Sequence, residues 1–472
     1  MKPRVLAGVL SAMLMLAANA VFAKTDHSTL IKGPFASGPE VTKACLQCHA
    51  EQAGAFMKTA HWTWSSRQKL PGGDEIRLGK INAVNNFCIA LPSNEPRCTS
   101  CHAGYGWKDA NFDFSKTENV DCLVCHDTTG TYRKYPTAAG HPAYKDSEWP
   151  PKSGKKWPAV NLEKVAQNVG RPSRQNCGAC HFFGGGGDHV KHGDLDSSLI
   201  KPKREMDVHM GVDGANMTCV DCHKGSNHTI PGKALSVSIA SGGATLGCDT
   251  CHAGSPHKNA QLNVHAKTVA CQTCHVPTFA RTLPTKIWWD WSMAGKDMPV
   301  TKDEHGLATF DKNKGSFTWG KNVVPAYRWF NGKVDRVLMG DKIDPSGVVH
   351  LSSPEGSRGA DSKITPFKLM KGRQPYDAGN KLIAVPHLFG KGGFWATYDW
   401  GSAIASGMKT AGLEYSGKFD WVETDMYWKL NHMVVPKDQA LKCANCHGAN
   451  GRMDWKALGY EGDPMKSATR KR

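Results

Sequence analysis

A helix over residues 161–169 is the clearest element that the hydrophobic pattern predicts. Apolar residues recur there at positions 162, 165, 166 and 169. Asn161 stands at the start as a favourable N-cap residue, and Gly170 and Pro172 follow the last apolar position. This spacing is typical of a short amphipathic helix that ends at a turn.

A second helical stripe occurs near the end of the chain. Apolar residues on one face, among them Met426 and Leu430, predict a helix from about Glu423 to Val434, with His432 projecting from a different side. Strand-type alternation of apolar and polar residues is scarce. The predicted fold class is therefore mainly α with extensive loops.

The first residues have the composition of a secretory signal peptide. Lys2 and Arg4 precede an apolar stretch over 5–18, and Ala23 offers a cleavage site that would remove residues 1–23. A retained membrane anchor is the alternative. No later apolar run is long enough to span a bilayer, and the mean hydropathy is −0.45. We therefore expect an exported protein in a Gram-negative periplasm, without a membrane span after signal cleavage.

Cysteine and histidine usage carries the strongest chemical signal. Of 17 Cys in 472 residues, all but Cys88 belong to eight copies of Cys-x-x-Cys-His. This motif is the attachment signature of a c-type haem, in which two thiols bind one porphyrin covalently and the adjacent His reaches the iron. The motifs comprise Cys45, Cys48 and His49; Cys98, Cys101 and His102; Cys122, Cys125 and His126; Cys177, Cys180 and His181; Cys219, Cys222 and His223; Cys248, Cys251 and His252; Cys271, Cys274 and His275; and Cys443, Cys446 and His447.

Zinc sites and disulfides are the alternative uses of such cysteine pairs in an exported chain. Neither explains a His directly after every second Cys of the eight motifs. The predicted cofactors are therefore eight covalently bound haem c groups. They imply a multihaem cytochrome c fold that is organised around a covalent haem array.

The formal charge of +17 would suggest nucleic acid as a partner in another protein. Haems change this sum, because the propionates of such an array bring roughly −16 charges. Many Lys and Arg side chains are then expected to pair with propionates. The sequence contains no nucleic-acid motif, and we expect no nucleic-acid partner.

Histidines outside the motifs are candidates for the second axial ligand of each iron, and the chain has 21 His in all. His228 and His257 each follow a motif His by five residues, an offset that directs them toward a neighbouring iron. The predicted distal ligands are His61, His192, His209, His228, His257, His265 and His432. The reserve candidates are His141, His189 and His387, and the expected surface histidines are His27, His305 and His350.

Motif spacing divides the mature chain into three parts. Residues 24–275 hold seven motifs, 276–442 form a haem-free insertion, and 443–472 hold the eighth motif and the C-terminal tail. The insertion contains nine of the 15 Trp, including Trp289 and Trp291. We interpret these Trp residues as core. A subdomain that covers haem faces and shapes a pocket or subunit contact is the alternative.

A glycine run, Gly184 to Gly187, follows the fourth motif and leads into a segment that contains Lys191 and His192. No strand pattern precedes this run and no Walker lysine follows it, so a phosphate loop is excluded. The run is predicted to be a tight turn that brings backbone close to a porphyrin and delivers a ligand.

Three features together indicate a protein family more specifically than any single motif does. The chain has eight Cys-x-x-Cys-His motifs and no Cys-x-x-Cys-Lys, a long interval before the last motif, and the Gly-rich stretch from Asn176 to Asp194. In these features it resembles the octahaem tetrathionate reductase family of periplasmic cytochromes c, over essentially the whole mature chain. The wider group is similar to hydroxylamine oxidoreductase and to the pentahaem nitrite reductases, whose Cys-x-x-Cys-Lys catalytic haem is absent here.

The resemblance implies a catalytic haem at the second motif, with His102 as its proximal ligand, a lysine amine on the far side, and bis-His ligation of the other haems. A lysine amine with a free pKa of about 10.4 must lose a proton to bind iron. It is therefore an exchangeable ligand that becomes a cation when displaced. The candidates for this lysine are Lys152, Lys155, Lys156 and Lys191.

Cys88 lies ten residues before the second motif, with Asn85 as a nearby companion. An unpaired thiol is unusual in an oxidising compartment. Two interpretations stay open. Cys88 is either a substrate-contact residue whose thiolate could exchange with a polythionate, or a small buried apolar side chain.

The resemblance also implies a reaction. Electrons from a periplasmic or quinol-linked cytochrome would reach the second haem and cleave the central S–S bond of tetrathionate into two thiosulfates. Nitrite and hydroxylamine are alternative substrates, since the residues alone do not choose between them. A non-catalytic multihaem conduit for electron transfer is the alternative from another functional class.

Overall fold

The computed structural model describes residues 25–69, 75–232 and 246–466. The predicted signal peptide, 1–23, lies outside these ranges. Within them, no helix is both long enough and apolar enough to cross a membrane.

Short helices separated by loops build the motif-rich half of the chain, and every motif begins on or beside a helical turn. The α-helices are α1 His27–Leu30, α2 Gly38–Leu46, α3 Ala50–Phe56, α4 Ala60–Thr63, α5 Glu95–Cys98, α6 Leu123–His126, α7 Leu162–Gln167, α8 Arg174–His181, α9 Cys219–Cys222, α10 Ala260–Thr268, α11 Cys271–His275, α12 Phe394–Thr397, α13 Trp400–Thr410 and α14 Cys443–Cys446. Turns of 3-10 helix cover Thr99–Cys101, Thr117–Asn119, Ser197–Ile200, Cys248–Thr250 and Trp291–Met293.

Helix α7 confirms the helix that the sequence predicts over 161–169. The side chain of Asn161 accepts a hydrogen bond from the backbone N–H of Lys164, as an N-cap residue does. Leu162, Val165 and Ala166 are the buried residues of this helix. The apolar stripe therefore faces the interior.

Two hairpins and one large sheet make up the β-structure. The hairpins pair β1 Ser65–Lys69 with β2 Glu75–Gly79, and β3 Ser147–Glu148 with β4 Lys156–Trp157. The nine-stranded sheet contains β5 Thr285–Asp290, β6 Phe310–Asp311, β7 Gly315–Gly320, β8 Ala326–Phe330, β9 Lys333–Arg336, β10 Val349–Glu355, β11 Lys363–Asp377, β12 Leu382–Ile383 and β13 Phe419–Lys429.

The sheet is mixed and has β11 at its centre. The strand order is β6-β7-β5-β11-β13-β10-β9, and β8 and β12 also pair with β11. β11 runs parallel to β5 and antiparallel to β13. All these strands lie inside the segment 276–442 that the sequence predicts to be haem-free, and the exact domain boundaries stay a prediction.

The mainly α part of the predicted fold class is not confirmed, because the prediction missed this sheet. The helix predicted over 423–434 is wrong: residues up to Lys429 belong to β13, which pairs with β11 from Phe419 to Lys429. Aromatic and β-branched residues along this strand favour a pleated surface. The residues that pair with this strand are far away in sequence. The local apolar stripe has the spacing of a helix, so it predicted the wrong type of element.

A large apolar core packs the sheet against α13. Trp289 and Trp291 are buried in it and stack at 4.8 Å between ring centroids. Their interpretation as core residues is confirmed. Phe87 also belongs to this core, and Cys88 packs against it. The sheet therefore borders directly on the segment that precedes the second motif.

Candidate functional site

A large cavity runs through the motif-rich half of the protein. Its volume is about 4160 Å³, and cysteines of the first seven motifs line it. A site for one small ligand typically has about 300–1,000 Å³. The cavity thus has room for several large cofactors, and the motif cysteines stand at its wall.

Seven motif histidines each face one further histidine, with ring centroids between 6.1 and 6.4 Å apart. The pairs are His49 with His27 (6.4 Å), His126 with His228 (6.4 Å), His181 with His61 (6.2 Å), His223 with His432 (6.4 Å), His252 with His209 (6.1 Å), His275 with His257 (6.2 Å), and His447 with His265 (6.3 Å).

This separation fits a metal ion held between two imidazoles. A metal–imidazole bond is about 2.0 Å long, and a ring nitrogen lies about 1.1 Å from the ring centre. Two such ligands in line therefore separate the ring centres by about 6 Å. The residues present fit haem iron with two axial imidazoles, next to cysteines that can hold the porphyrin.

Hydrogen bonds orient several of these rings from behind. Nδ1 of His126 lies 2.8 Å from the carbonyl oxygen of Gly170, whereas Nδ1 of His447 lies 2.6 Å from a carboxylate oxygen of Asp463. An N–H donated to such a partner fixes the tautomer and leaves Nε2 free to bind metal. Both rings are thus held in an orientation suited to an axial ligand.

Cysteines of different motifs lie beside one another and link the motifs into one array. Direct sulfur contacts join Cys45 with Cys122, Cys101 with Cys180, Cys177 with Cys219, and Cys248 with Cys271. Electrostatic interactions also join Cys125 with Cys177, Cys222 with Cys251, and Cys274 with Cys446. Each motif therefore has a neighbouring motif, as electron transfer between cofactors requires.

The histidine pairs differ from the predicted distal set at two positions. His192, a predicted ligand, contacts Trp428 at 5.2 Å instead of a motif histidine. His27, expected at the surface, faces His49 from α1. The reserve candidates His141 and His189 pack against Tyr105 and Trp319, and His387 bonds the carbonyl of Phe389. No local pattern indicates His27 as a ligand, because it lies 22 residues before His49 and outside every Cys-x-x-Cys-His motif.

The second motif departs from this pattern, since His102 turns away from the cavity. Its Nε2 lies 2.7 Å from the carbonyl oxygen of Trp62, and its ring is fully buried among five aromatic rings. Burial lowers the pKa of His102 to about 3. Nε2 of His102 is thus engaged by a backbone carbonyl while Nδ1 has no partner among the described residues, and the assignment of His102 as proximal ligand stays a prediction.

A buried ion pair holds the backbone of the second motif in place. Nζ of Lys134 lies 3.0 Å from Asp121, and both side chains are almost completely buried. The same ammonium donates hydrogen bonds to the carbonyl oxygens of His102 and Gly104. The orientation of His102 is therefore supported by its backbone as well as by its ring.

Among the lysine candidates, only Lys191 lies at the cavity wall. Its Nζ is 4.7 Å from the ring centre of Trp428 and 5.7 Å from that of Phe87. Burial lowers the pKa of Lys191 to about 8, so its neutral amine is accessible near neutral pH. Lys152, Lys155 and Lys156 are instead exposed on the hairpin of β3 and β4 and do not line this cavity, so the structure does not bring them to Cys88 and Lys191.

The glycine run folds back on the segment that carries Lys191. Gly185 has φ +76°, and a Cβ there would lie 3.1 Å from Val190 and 3.2 Å from Phe87. Glycine meets both demands, a left-handed backbone and close packing. The turn that the sequence predicts at this run is present and leads Lys191 to the cavity.

Cys88 and Asn85 line the cavity beside Lys191. Burial raises the pKa of the Cys88 thiol, against the opposing effect of the cations Lys80, Lys191 and Arg97. Lys80 itself lies 3.8 Å from the ring centre of Trp64. Sequence reasoning missed Lys80 and Arg97, since single basic residues carry no motif. They make this end of the cavity electropositive.

Comparison with known proteins agrees with this geometry. The model of the family "Cytochrome c554 and c-prime" matches residues 44–127, and that of "Cytochrome c bacterial" matches residues 286–450. An uncharacterized protein of Archaeoglobus fulgidus is 26% identical over an alignment of 244 positions, which covers 44% of this chain and 80% of that protein. The crystal structure of octaheme cytochrome c from Shewanella oneidensis superposes with a TM-score of 0.87 at 49% identity, covering 94% of this chain and 99% of that one.

Cysteine motifs around a cavity, paired imidazoles and these similarities define a multihaem c-type cytochrome that binds haem c. Identity of 49% over nearly the full length of both chains is far more than fold similarity alone. The chain belongs to the octahaem cytochromes c.

Proposed function

We propose that this protein is a periplasmic octahaem reductase with one exchangeable haem centre. Seven haems would be held by the paired histidines, and the haem of the second motif would take Lys191 as its axial ligand. One observation carries the proposal: seven motif histidines face a second histidine, whereas His102 is bonded to Trp62 and Lys191 lies at the cavity wall.

When bound, the haems supply electrons to the site. Imidazoles on both sides of an iron suit electron transfer without ligand exchange. A lysine amine differs, because protonation competes with metal binding and the displaced ammonium remains nearby as a cation. Lys191 would therefore open the second centre to substrate and then help to hold an anion there.

Tetrathionate is the substrate that we propose, on the basis of the family resemblance and of local charge. Lys80, Arg97 and Lys191 surround the thiol of Cys88 and offer positive charge to a dianion. The overall reaction consumes two electrons from an external donor, breaks the central S–S bond and releases two thiosulfate dianions. The electron donor would be a periplasmic or quinol-linked cytochrome, and residues 1–23 would direct export.

Cys88 would contact the substrate, and Asn85 would hold Cys88 in position. The backbone N–H groups of Phe87 and Cys88 both donate to Oδ1 of Asn85, at 3.2 Å and 2.6 Å. The raised pKa of the thiol favours its neutral form, which makes it a contact and hydrogen-bonding group rather than a resting thiolate.

Electron paramagnetic resonance and resonance Raman spectroscopy of the purified holoprotein test the haem assignment. We expect seven bis-imidazole signatures and one distinct, ligand-responsive centre. Lys191→Met should alter that centre alone, and Lys155→Met, which removes an exposed lysine, should leave it unchanged. Eight identical bis-imidazole signatures would instead favour the electron-transfer conduit.

Mass spectrometry tests the cofactor count independently. The intact protein should carry the mass of eight haem groups, and after denaturation it should have one free thiol, at Cys88, because 16 of its 17 Cys would be in thioethers. Two or more additional free thiols would contradict eight attached haems.

Turnover with a reduced dye, compared for tetrathionate, nitrite and hydroxylamine, tests the substrate. Faster reduction of either nitrogen compound would replace tetrathionate in the proposal.

A further inference from the structure

A completely buried lysine on the sheet holds the backbone of the segment that carries Lys191. Lys368 lies on β11 and has no exposed surface. Its Nζ donates to the carbonyl oxygen of Lys191 at 2.9 Å and to that of Val190 at 3.1 Å. A third hydrogen bond, of 2.6 Å, goes to the hydroxyl oxygen of Thr285 on β5. The amine of Lys368 thus has three buried oxygen partners.

Thr285 extends the same set of contacts to the next residue. Its Oγ1 lies 3.1 Å from the carbonyl oxygen of His192 and 3.3 Å from that of Val190, so the hydroxyl can donate to either. Thr285 is also completely buried. Three consecutive carbonyl groups, of residues 190–192, are therefore bonded to two neighbouring strands of the sheet.

The sheet contacts the side chain of Lys191 as well as its backbone. Trp428 on β13 is the register partner of Lys368 on β11. Its ring centre lies 4.7 Å from Nζ of Lys191, and its ring meets that of His192 at 5.2 Å. One cross-strand pair thus fixes both ends of Lys191, with Lys368 at the backbone and Trp428 at the amine.

We propose that Lys368 and Thr285 are positioning residues that hold Lys191 in place for binding to the second haem. This inference rests on the proposed function, in which Lys191 is the axial ligand. A lysine has a flexible four-carbon stem, so the unbound amine has many conformations to lose. Fixing the backbone at residues 190–192 reduces that loss.

The chemistry of Lys368 favours this role over simple packing. Burying an amine without partners is costly whether it is charged or neutral, and an apolar side chain fills a core with less penalty. Lys286, on the same sheet, provides the contrast: its Nζ lies over the rings of Phe317 at 3.0 Å and Trp289 at 3.8 Å, away from the carbonyls of residues 190–192. Both lysines are buried, but Lys368 carries the bonds to the ligand segment.

Cyanide binding to the holoprotein tests the inference. We expect Lys368→Met to shift the spectrum of the second centre toward that of Lys191→Met and to raise its apparent cyanide affinity about tenfold, because hydrogen bonds that hold the competing amine are lost. Thr285→Val, a milder change, should shift both readouts in the same direction by a smaller amount. The seven bis-imidazole signals and the haem content should stay as in the parent protein.

Lys286→Met is the matched control, since it also removes a buried amine from the sheet, in this case from β5. This variant should keep the parental spectrum and cyanide affinity. The inference is overturned if Lys191→Met changes the second centre while Lys368→Met and Thr285→Val leave it unaltered, or if Lys286→Met changes it equally. If Lys191→Met itself leaves the second centre unaltered, the ligand assignment in the proposed function fails first.

Discussion

Asn85 accepts a hydrogen bond of 2.6 Å from the backbone N–H of Cys88. Its amide nitrogen also donates to the carbonyl oxygen of Ile89 at 3.2 Å. Asn85 therefore closes a compact turn around Phe87 and Cys88, with both ends bonded to one side chain. The turn directs Cys88 to the cavity wall, so that the thiol and the lysine amine of residue 191 share one end of the cavity.

Alkylation of Cys88 in the native holoprotein should be slow at neutral pH. Its rate should keep rising at pH values above the ordinary pKa of a free thiol, which is about 8.5. Burial raises the pKa of this thiol, and only the thiolate reacts, so a smaller fraction is reactive at any given pH. Iodoacetamide labelling followed by mass spectrometry measures the rate. Cys88→Ser is the control, and a rate that levels off below pH 8 would contradict the raised pKa.

His27→Ala should remove one bis-imidazole signal, whereas His192→Ala should remove none. His27 faces His49 with ring centroids 6.4 Å apart, while His192 packs edge-on against Trp428. The pair of variants is informative because sequence reasoning expects the opposite result. Electron paramagnetic resonance of both holoproteins measures the difference, and loss of a signal in His192→Ala alone would restore the sequence-based assignment.

His102→Phe should leave the spectrum of the second centre unchanged in protein that retains its full haem content. The ring of His102 lies among aromatic side chains, and its Nε2 is bonded to the carbonyl of Trp62. Loss of that bond leaves a buried carbonyl unpaired, which should lower the free energy of unfolding by about 1–3 kcal/mol. Chemical denaturation measures this change. A vanished second-centre signal would identify His102 as a ligand after all.

Covalent chemistry could be predicted from the sequence, because each motif is local. Two residue types at three fixed positions out of five define an attachment site, and the spacing of His257 from its motif indicated a ligand for a neighbouring iron. The histidine opposite it, His275, belongs to the next motif along the chain. Helix α7 was predictable for the same reason, since its cap and its apolar stripe are adjacent in sequence.

Long-range pairing could not be predicted in this way. β11 and β13 are more than 40 residues apart and pair through residues whose local pattern resembles a helix. Lys368 has no motif around it, and its role depends on carbonyl groups 177 and 178 residues away. The orientation of His102 likewise depends on Trp62, which precedes it by 40 residues. Such contacts exist only after the chain has folded.

Asp463→Asn should raise the reduction potential of one haem, that of the eighth motif, and leave the others unchanged. The carboxylate of Asp463 lies 2.6 Å from Nδ1 of His447, and a carboxylate partner makes an imidazole a stronger electron donor, which stabilises oxidised iron. Asp438→Asn, which removes an exposed carboxylate nearby in sequence, is the charge-matched control. Spectropotentiometric titration of both variants measures the shift. Equal shifts in the two variants would mean that overall charge, rather than the hydrogen bond to His447, sets this potential.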